Sequence, residues 1–512
     1  MSDKNRPGMG FEVNIRSGES DGSAPRVDGD TPFRIAVLGD FSGAFDQSAV
    51  NDKPLAERRL ISIDRDNFDE VLAGFGLCFH IDLAGNTIAI EINALEDFHP
   101  DALYDRLEIF SKLRGIRRRL KDKKRFDEAA AEIMGWLVPE ATDTPSQQNI
   151  APRQPSQDVA QQGLLDSILD SNPQPSSDLE KAATPSAIDQ LVRHIIAPYV
   201  EPAANPRQQE MLDAVDAATA GHMRQILHHP RFQAMEAAWR SVYFLVSRIE
   251  TDRQLKIYLL DASKQAIQAE LAEGSSASRL HKLFCDPAIG DQPWSLLVGN
   301  YRFEDSIDDA LLLAQIGSIA EQAGAPFIAA ATETLAGCES FAATADADDW
   351  KYKMKPGAEN AWKLLRQDAV ADYIGLALPR FLLRAPYGAK SSPIEAFSFE
   401  EMPEPNCHEC FLWGNAAFVK AEQLARAFAE SHWDMRPAEA SQTDRLPMYY
   451  YDDEGETVLM ACAEIYLTEK GGNRLSNQGL MAVWSVRNMD AVRSSDFGSL
   501  ATGNNLRGRW AG

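Results

Sequence analysis

At 512 residues, with 44% hydrophobic and 9% aromatic residues, the chain exceeds what one hydrophobic core ordinarily serves, so more than one domain is expected. Its 76 Asp and Glu against 51 Lys and Arg give a formal charge of -25 at pH 7, which argues against nucleic acid or an anionic membrane surface as the main partner. No run of about 18 apolar residues occurs, so no membrane insertion is expected. The opening MSDKNRPGMGFEVN lacks an apolar signal core, which predicts a cytoplasmic protein. Six scattered cysteines do not have the look of a disulfide framework.

Residues 1–30 are rich in Gly, Ser and Asp and read as a mobile tail, with Phe11–Ile15 as a short edge strand. Phe33–Leu38 (FRIAVL) reads as a strand ended by Gly39-Asp40-Phe41-Ser42-Gly43. A glycine-rich turn after a strand is the setting of a phosphate loop, but no Gly-Lys-Ser/Thr follows and no third glycine opens a helix. A tight turn or bulge is expected instead. Leu60–Asp64 reads as a strand, and a helix begins near Asn67 with Phe68, Val71, Leu72 and Phe75 on one face. Leu77–Leu83 and Thr87–Ile92 flank Gly85-Asn86, a hairpin signal. His99-Pro100-Asp101 opens another helix, with Leu103, Leu107 and Phe110 inward. The next stretch is the only dense basic run, formed by Arg114, Arg117, Arg118, Arg119, Lys121, Lys123, Lys124 and Arg125. It reads either as a solvated helix face or as a docking strip for an acidic neighbour, and on so acidic a chain that neighbour is another copy of itself.

From Val138 the composition turns to Pro, Gln, Thr and Ser, and residues 138–183 are expected to form a disordered linker too polar to bury. Within it, residues 163–169 form an apolar island carrying Leu164, Leu165, Ile168 and Leu169. The island is either a recognition segment for a partner's groove or a helix packed on its own domain. The second domain is expected to start at 184, with helices at about Ala187–Ile196 and Arg207–Leu227. They lead into the stretch that organises the chain, residues 221–260. Pro230 suits a first helical turn. Phe232, Met235, Trp239, Val242, Val246 and Ile249 then recur at gaps of three and four, one continuous stripe, with Arg231, Glu236, Arg240 and Arg248 between. Leu255–Leu260 is short, apolar and partly β-branched, the pattern of a strand buried on both faces. Strands follow at Trp294–Phe303, Pro326–Ala330 and Tyr373–Leu378, and a helix at Ile307–Gln322 with Leu311, Leu312, Ile316 and Ile319 inward. A helix at Ala416–Glu430 and a strand-turn pattern over Met448–Leu467 complete the chain. Strands alternating with helices of this length predict an α/β mixed (α+β) fold, with a mixed or mainly parallel sheet under helical cover.

Few residues suggest chemistry. Cys407-His408-Glu409-Cys410 is the sharpest metal or redox candidate, yet a structural zinc needs four ligands and no second CxxC or HxxxH accompanies it. His228 and His229 are adjacent at a helix start and point to different sides, which favours capping or packing over a shared metal. No H-E-x-x-H or G-x-G-x-x-G is present and no G-x-S-x-G follows a predicted strand and opens a helix, so no catalytic set, cofactor or metal is predicted. What remains are aromatic- and arginine-rich packing motifs, such as residues 379–388 and 411–417, which point to assembly.

ILHHPRFQAMEAAWRSVYFLV with LKIYLLDASK resembles the large subunit of the type VI secretion contractile sheath. The likeness continues through WSLLVGNYRF, APFIAAA, LPRFLLRAPYG, FLWGNAAF and ACAEIYLTEKGGNRLSNQGLMAV. FRIAVLGDFSG, LISIDRDNFDEVL and FHPDALYDRLEIFSKLRGIRRRL are similar to the small sheath subunit. The resemblance implies two sheath-type domains fused in one chain, each a mixed sheet with helical cover: a small-subunit-like one over 31–137 and a large-subunit-like one over 184–505. It also implies a large-subunit region shortened at its C-terminus, because the family's large subunit continues with a domain that interlocks protomers by strand exchange. The expected function is a non-enzymatic structural subunit of a sheath-like assembly. The alternative is an accessory adaptor or regulator that binds sheath, baseplate or disassembly ATPase without forming a sheath. The implied partners are other copies or separate sheath subunits, inner tube and baseplate components, and an AAA+ disassembly ATPase. In the family that ATPase recognises an amphipathic helix near the large subunit's N-terminus, here matched by Leu164, Leu165, Ile168 and Leu169.

Overall fold

The computed structural model describes residues 28–43, 55–83, 86–135, 208–272, 274–286, 292–344, 346–403, 407–453 and 455–510. The predicted helix at Ala187–Ile196, the linker 138–183 and its apolar island lie outside them. The first region holds β1 (Phe33–Gly39), β2 (Ile61–Ile63), α1 (Phe68–Gly74), β3 (Leu77–Leu83), β4 (Asn86–Ile92), α2 (Pro100–Arg106), α3 (Glu108–Lys121) and α4 (Phe126–Gly135). The second begins with α5 (Gln208–Leu227), α6 (Pro230–Arg248), β5 (Leu255–Asp261), α7 (Lys264–Leu271), α8 (Arg279–Cys285) and β6 (Leu296–Phe303). It continues with α9 (Ile307–Ala323), β7 (Phe327–Ala331), α10 (Pro356–Gln367), β8 (Ile374–Leu378), β9 (Phe381–Leu382) and β10 (Trp413–Gly414). It ends with α11 (Ala417–Ser431), β11 (Gln442–Thr443), β12 (Tyr450–Asp453), β13 (Glu456–Leu459), α12 (Glu469–Asn477), β14 (Leu480–Ser485) and β15 (Val492–Ser494).

The mixed α/β class is the observed one, but the strands are not divided into one main sheet per region. A single sheet of nine strands runs β11-β15-β14-β8-β7-β6-β1-β5-β2. From β14 to β5 all neighbours are parallel, and β2, β15 and β11 close the edges antiparallel. β1 belongs to the first region, yet it lies between β5 and β6 of the second, with Phe33 opposite Leu255 and Ile35 opposite Leu296. The physical reason is burial. All of FRIAVLG except Arg34 is buried, so its backbone groups need a strand on each side, and its own region has only short β2 and the separate β3–β4 hairpin to spare.

Alternation along β1 sorts the core into two layers. Phe33, Ile35 and Val37 face a cluster built from the first region's helices with α5, α6 and α11. Ala36 and Leu38 face a second cluster with α7, α8, α9 and α10. The stripe on α6 is buried throughout, from Phe232 to Ile249. Trp239 is the hub: Phe41, Phe68 and Phe75 meet its ring edge-on at 5.2–5.8 Å, and its indole N–H donates to the Phe41 carbonyl at 3.1 Å. Such aromatic pairs contribute about 0.5–1.5 kcal/mol each beyond their buried area.

Two expectations are corrected at finer scale. Leu311 is not inward but 58% exposed, because α9 turns Leu312, Ile316 and Ile319 to the core and leaves that position on the outer side. Leu107 adopts extended backbone and caps α3, so the stretch after His99 is two helices rather than one.

Candidate assembly surface and buried ion network

The basic run is amphipathic: on α3, Ile109, Phe110, Leu113, Ile116 and Leu120 face the core. The eight cations between and after them divide into two groups. Arg117 grips Asp216 of α5 with two parallel bonds, Nε to Oδ1 at 2.5 Å and Nη2 to Oδ2 at 2.9 Å, and so ties the first region to the second. Arg119 donates to Glu132 at 2.5 Å, and Arg114 pairs with Asp105. These three are engaged within the chain. Arg118, Lys121, Lys123, Lys124 and Arg125 are exposed and make no ion pair among the described residues. Three of the eight cations are therefore held by carboxylates of the chain, and five remain exposed.

A second constellation joins α6 to the loops after β9. Glu236 has a side chain with no exposed surface, and Glu401 is equally enclosed. Arg384 lies between them. Its Nε donates to Glu236 at 2.8 Å, and its Nη1 and Nη2 donate to Glu401 at 2.7 and 2.9 Å. Arg240, one turn on, donates to Glu236 at 2.7 Å and to the Tyr387 hydroxyl at 3.2 Å. The Tyr387 backbone N–H donates to Glu401 at 2.7 Å, and His228 Nε2 stands 3.5 Å from the same carboxylate. Burial alone would raise the Glu401 carboxyl; the Arg384 charge, the bonds from Arg384 and the Tyr387 N–H, and the nearby His228 ring hold it at about 2. Burial pushes the Tyr387 hydroxyl up to about 12. The arrangement has no exposed nucleophile, and its effect is positional: it pins the long helix to the segment that follows the sheet.

The other candidates resolve locally. At Gly39–Gly43 the Asp261 carboxylate accepts the Phe41 and Ser42 N–H groups at 2.9 and 3.2 Å, so a carboxylate of the chain occupies the amides a phosphate loop would offer. Gly43, at φ 73°, closes this turn. His229 caps α6, its Nδ1 accepting from the Arg231 N–H at 3.3 Å. Cys407 and Cys410 are joined in a disulfide, while Cys78, Cys285, Cys338 and Cys462 are free. Among the described residues no group of three or more His, Cys, Asp or Glu could hold a metal ion. No described helix is long and apolar enough to cross a membrane. Leu164, Leu165, Ile168 and Leu169 lie outside the described residues. Sequence reasoning missed the Glu236–Arg384–Glu401 triad altogether. The available signal was the clustering of arginines in LPRFLLRAPYG, which nothing linear connects to Glu236.

Comparison with known proteins bears on both regions. Residues 209–497 match the family VipB (EvpB/VC_A0108, tail sheath N-terminal domain). Residues 13–132 match the family Type VI secretion system, VipA, VC_A0107 or Hcp2. A Pseudomonas aeruginosa protein, the type VI secretion system sheath protein TssC1, is 30% identical over 329 residues, which is 62% of this chain and 66% of that protein. The chain thus spans just under two thirds of the length of this relative.

Proposed function

The chain belongs to the type VI secretion tail-sheath family, as small-subunit-like and large-subunit-like regions in one polypeptide, and from this premise we propose that it is a non-enzymatic structural subunit of a sheath-like assembly. One observation carries the reading: β1 of the small-subunit-like region lies between β5 and β6 of the large-subunit-like one, so the fused regions form a single folding unit that serves as one protomer. Its action is mechanical, with protomers interlocking and any contraction changing their packing without chemistry in this chain. The outward Arg118, Lys121, Lys123, Lys124 and Arg125 meet acidic surfaces of a neighbouring copy or of a separate sheath subunit, as the charge of -25 favours. The assembly works in the cytoplasm around an inner tube and against a baseplate, and Leu164, Leu165, Ile168 and Leu169 offer a segment for an AAA+ disassembly ATPase.

Negative-stain electron microscopy of the purified chain, alone and mixed with separate sheath subunits, tests the proposal. Tubes or stacked rings containing the chain are expected. Particles that remain monomeric in both samples would overturn it, and decoration of tubes built only from the other subunits would move the function to an accessory role.

A further inference from the structure

The disulfide between Cys407 and Cys410 belongs to neither constellation above. Its residues bracket one turn of 3-10 helix, His408–Cys410, just before β10. The two Cα atoms are 5.3 Å apart, within the ordinary span of a bridge, and the Cys410 N–H donates to the Cys407 carbonyl at 3.0 Å. The two ends differ in access. Cys407 is exposed, whereas Cys410 is half-buried against the small cluster of Leu382, Met402, Phe411 and Trp413. Other contacts also hold the turn. The Gln233 side-chain amide, in the first turn of α6, donates to the Glu409 carbonyl at 3.1 Å, and the Trp413 indole N–H donates to the His408 carbonyl at 2.9 Å. The Glu409 carboxylate stands 3.5 Å from the Arg380 guanidinium. The four free cysteines are poorly disposed to react as thiolates. Burial pushes the Cys285 and Cys462 thiols up to about 11 and raises Cys338, and burial with the nearby Glu91 raises Cys78.

A bridge across two intervening residues closes a very short loop, so it removes far less chain entropy from the unfolded state than one that closes a long loop. It therefore adds little to global stability, and the Gln233 and Trp413 bonds keep the turn in place without it. Exchange requires a sulfur that an attacking thiolate can reach, and the exposed Cys407 supplies one. The cytoplasm proposed above is reducing, and a disulfide there is usually transient and redox-sensing. We propose that Cys407 and Cys410 form a reversible thiol–disulfide exchange site, opened by a dithiol reductant and closed by a disulfide oxidant, that sets how firmly residues 407–413 are held beside α6. In the opening step one thiolate of the dithiol attacks Cys407 Sγ, the S–S bond breaks, and its electron pair leaves on Cys410 Sγ, which takes up a proton. The second thiol of the dithiol loses its proton and attacks the mixed disulfide, which closes the oxidised dithiol and frees the Cys407 thiolate. Two electrons pass from the dithiol to the protein. A disulfide oxidant returns them by the same two exchanges in reverse.

The test counts thiols on the native full-length chain after acid quenching, denaturation and maleimide labelling read by mass. Of the six cysteines, four should label in protein kept under oxidised glutathione, and all six after native incubation with dithiothreitol. Returning the protein to oxidised glutathione should restore four. Cys407→Ser/Cys410→Ser should show four throughout. Hydrogen exchange on the same samples reads the hold on the turn: the Cys410 and Phe411 amides should exchange about tenfold faster in the reduced wild type, with α6 and the urea midpoint unchanged. The wild-type comparison needs no variant, so misfolding of the serine pair would leave the test intact. Six labelled thiols under oxidised glutathione would overturn the proposal, because no bridge then forms. Four that persist in dithiothreitol would overturn it as well, since the bridge is then closed to exchange. An unchanged turn, or a global midpoint that falls on reduction, would refute the local device. These counts do not depend on assembly, so their failure leaves the sheath proposal standing, and absence of tubes leaves this one standing.

Discussion

Removing the central cation of the buried network, in Arg384→Met, tests the claim that the network pins α6. Arg384 makes three bonds of 2.9 Å or less to two enclosed carboxylates. Glu236 keeps Arg240 at 2.7 Å after the change, but Glu401 keeps only the Tyr387 N–H and the nearby His228. Breaking a buried pair by deleting one partner typically costs about 3–5 kcal/mol. The Glu401 carboxyl gives a matching figure: lowered from 4.5 to about 2, it stands for roughly 3 kcal/mol at about 1.4 kcal/mol per unit. Because the folded value is depressed, that stabilisation is fully present above the unfolded value of 4.5 and is lost as pH falls toward 2. Without Arg384, burial raises the Glu401 carboxyl, so the variant's deficit should be greatest near neutrality and shrink as Glu401 takes up a proton in mild acid. Urea unfolding followed by tryptophan fluorescence at several pH values reads both quantities. Adding Glu401→Gln to Arg384→Met should restore a large part of the loss. A deficit under about 1 kcal/mol, or one that neither depends on pH nor responds to Glu401→Gln, would refute the reasoning.

Lys420 of α11 is wholly buried, bound to the Ser494 hydroxyl at 2.9 Å and the Ser495 carbonyl at 2.7 Å and set over the Phe497 ring at 3.8 Å. Burial lowers it from 10.5 to about 7, so folding disfavours the charged form: the penalty is complete below about pH 7 and fades as pH rises toward 10.5. The urea midpoint of the wild type should therefore rise between about pH 7 and 9, and Lys420→Met should flatten that rise. Arg117→Asp places two carboxylates together between α3 and α5 and should lower stability by about 1 kcal/mol or more, while Arg117→Asp/Asp216→Arg should recover most of it in the same assay. In limited proteolysis, the single variant should release the first region faster than the exchanged pair.

Local pattern was enough for most elements. The gaps of three and four from Phe232 to Ile249 specify a helix with one apolar face, and every residue of that stripe is buried. FRIAVL and YIGLAL are short apolar runs that form strands buried on both faces, whereas LKIYLL buries Leu255, Ile257 and Leu259 on one face and leaves Lys256 and Tyr258 half-buried on the other. Partnership across the chain was decided only in three dimensions. A buried strand demands neighbours on both edges but does not name them, and β1 finds β5 and β6 more than 200 residues away. Glu236 reads along α6 like the exposed Arg231, yet it is enclosed because Arg384, 148 residues later, arrives to neutralise it. The basic run shows the same limit, since whether an arginine faces solvent or an Asp216 depends on which helix packs beside it. Periodicity reports which side of an element avoids water; the identity of what covers that side is a property of the tertiary structure.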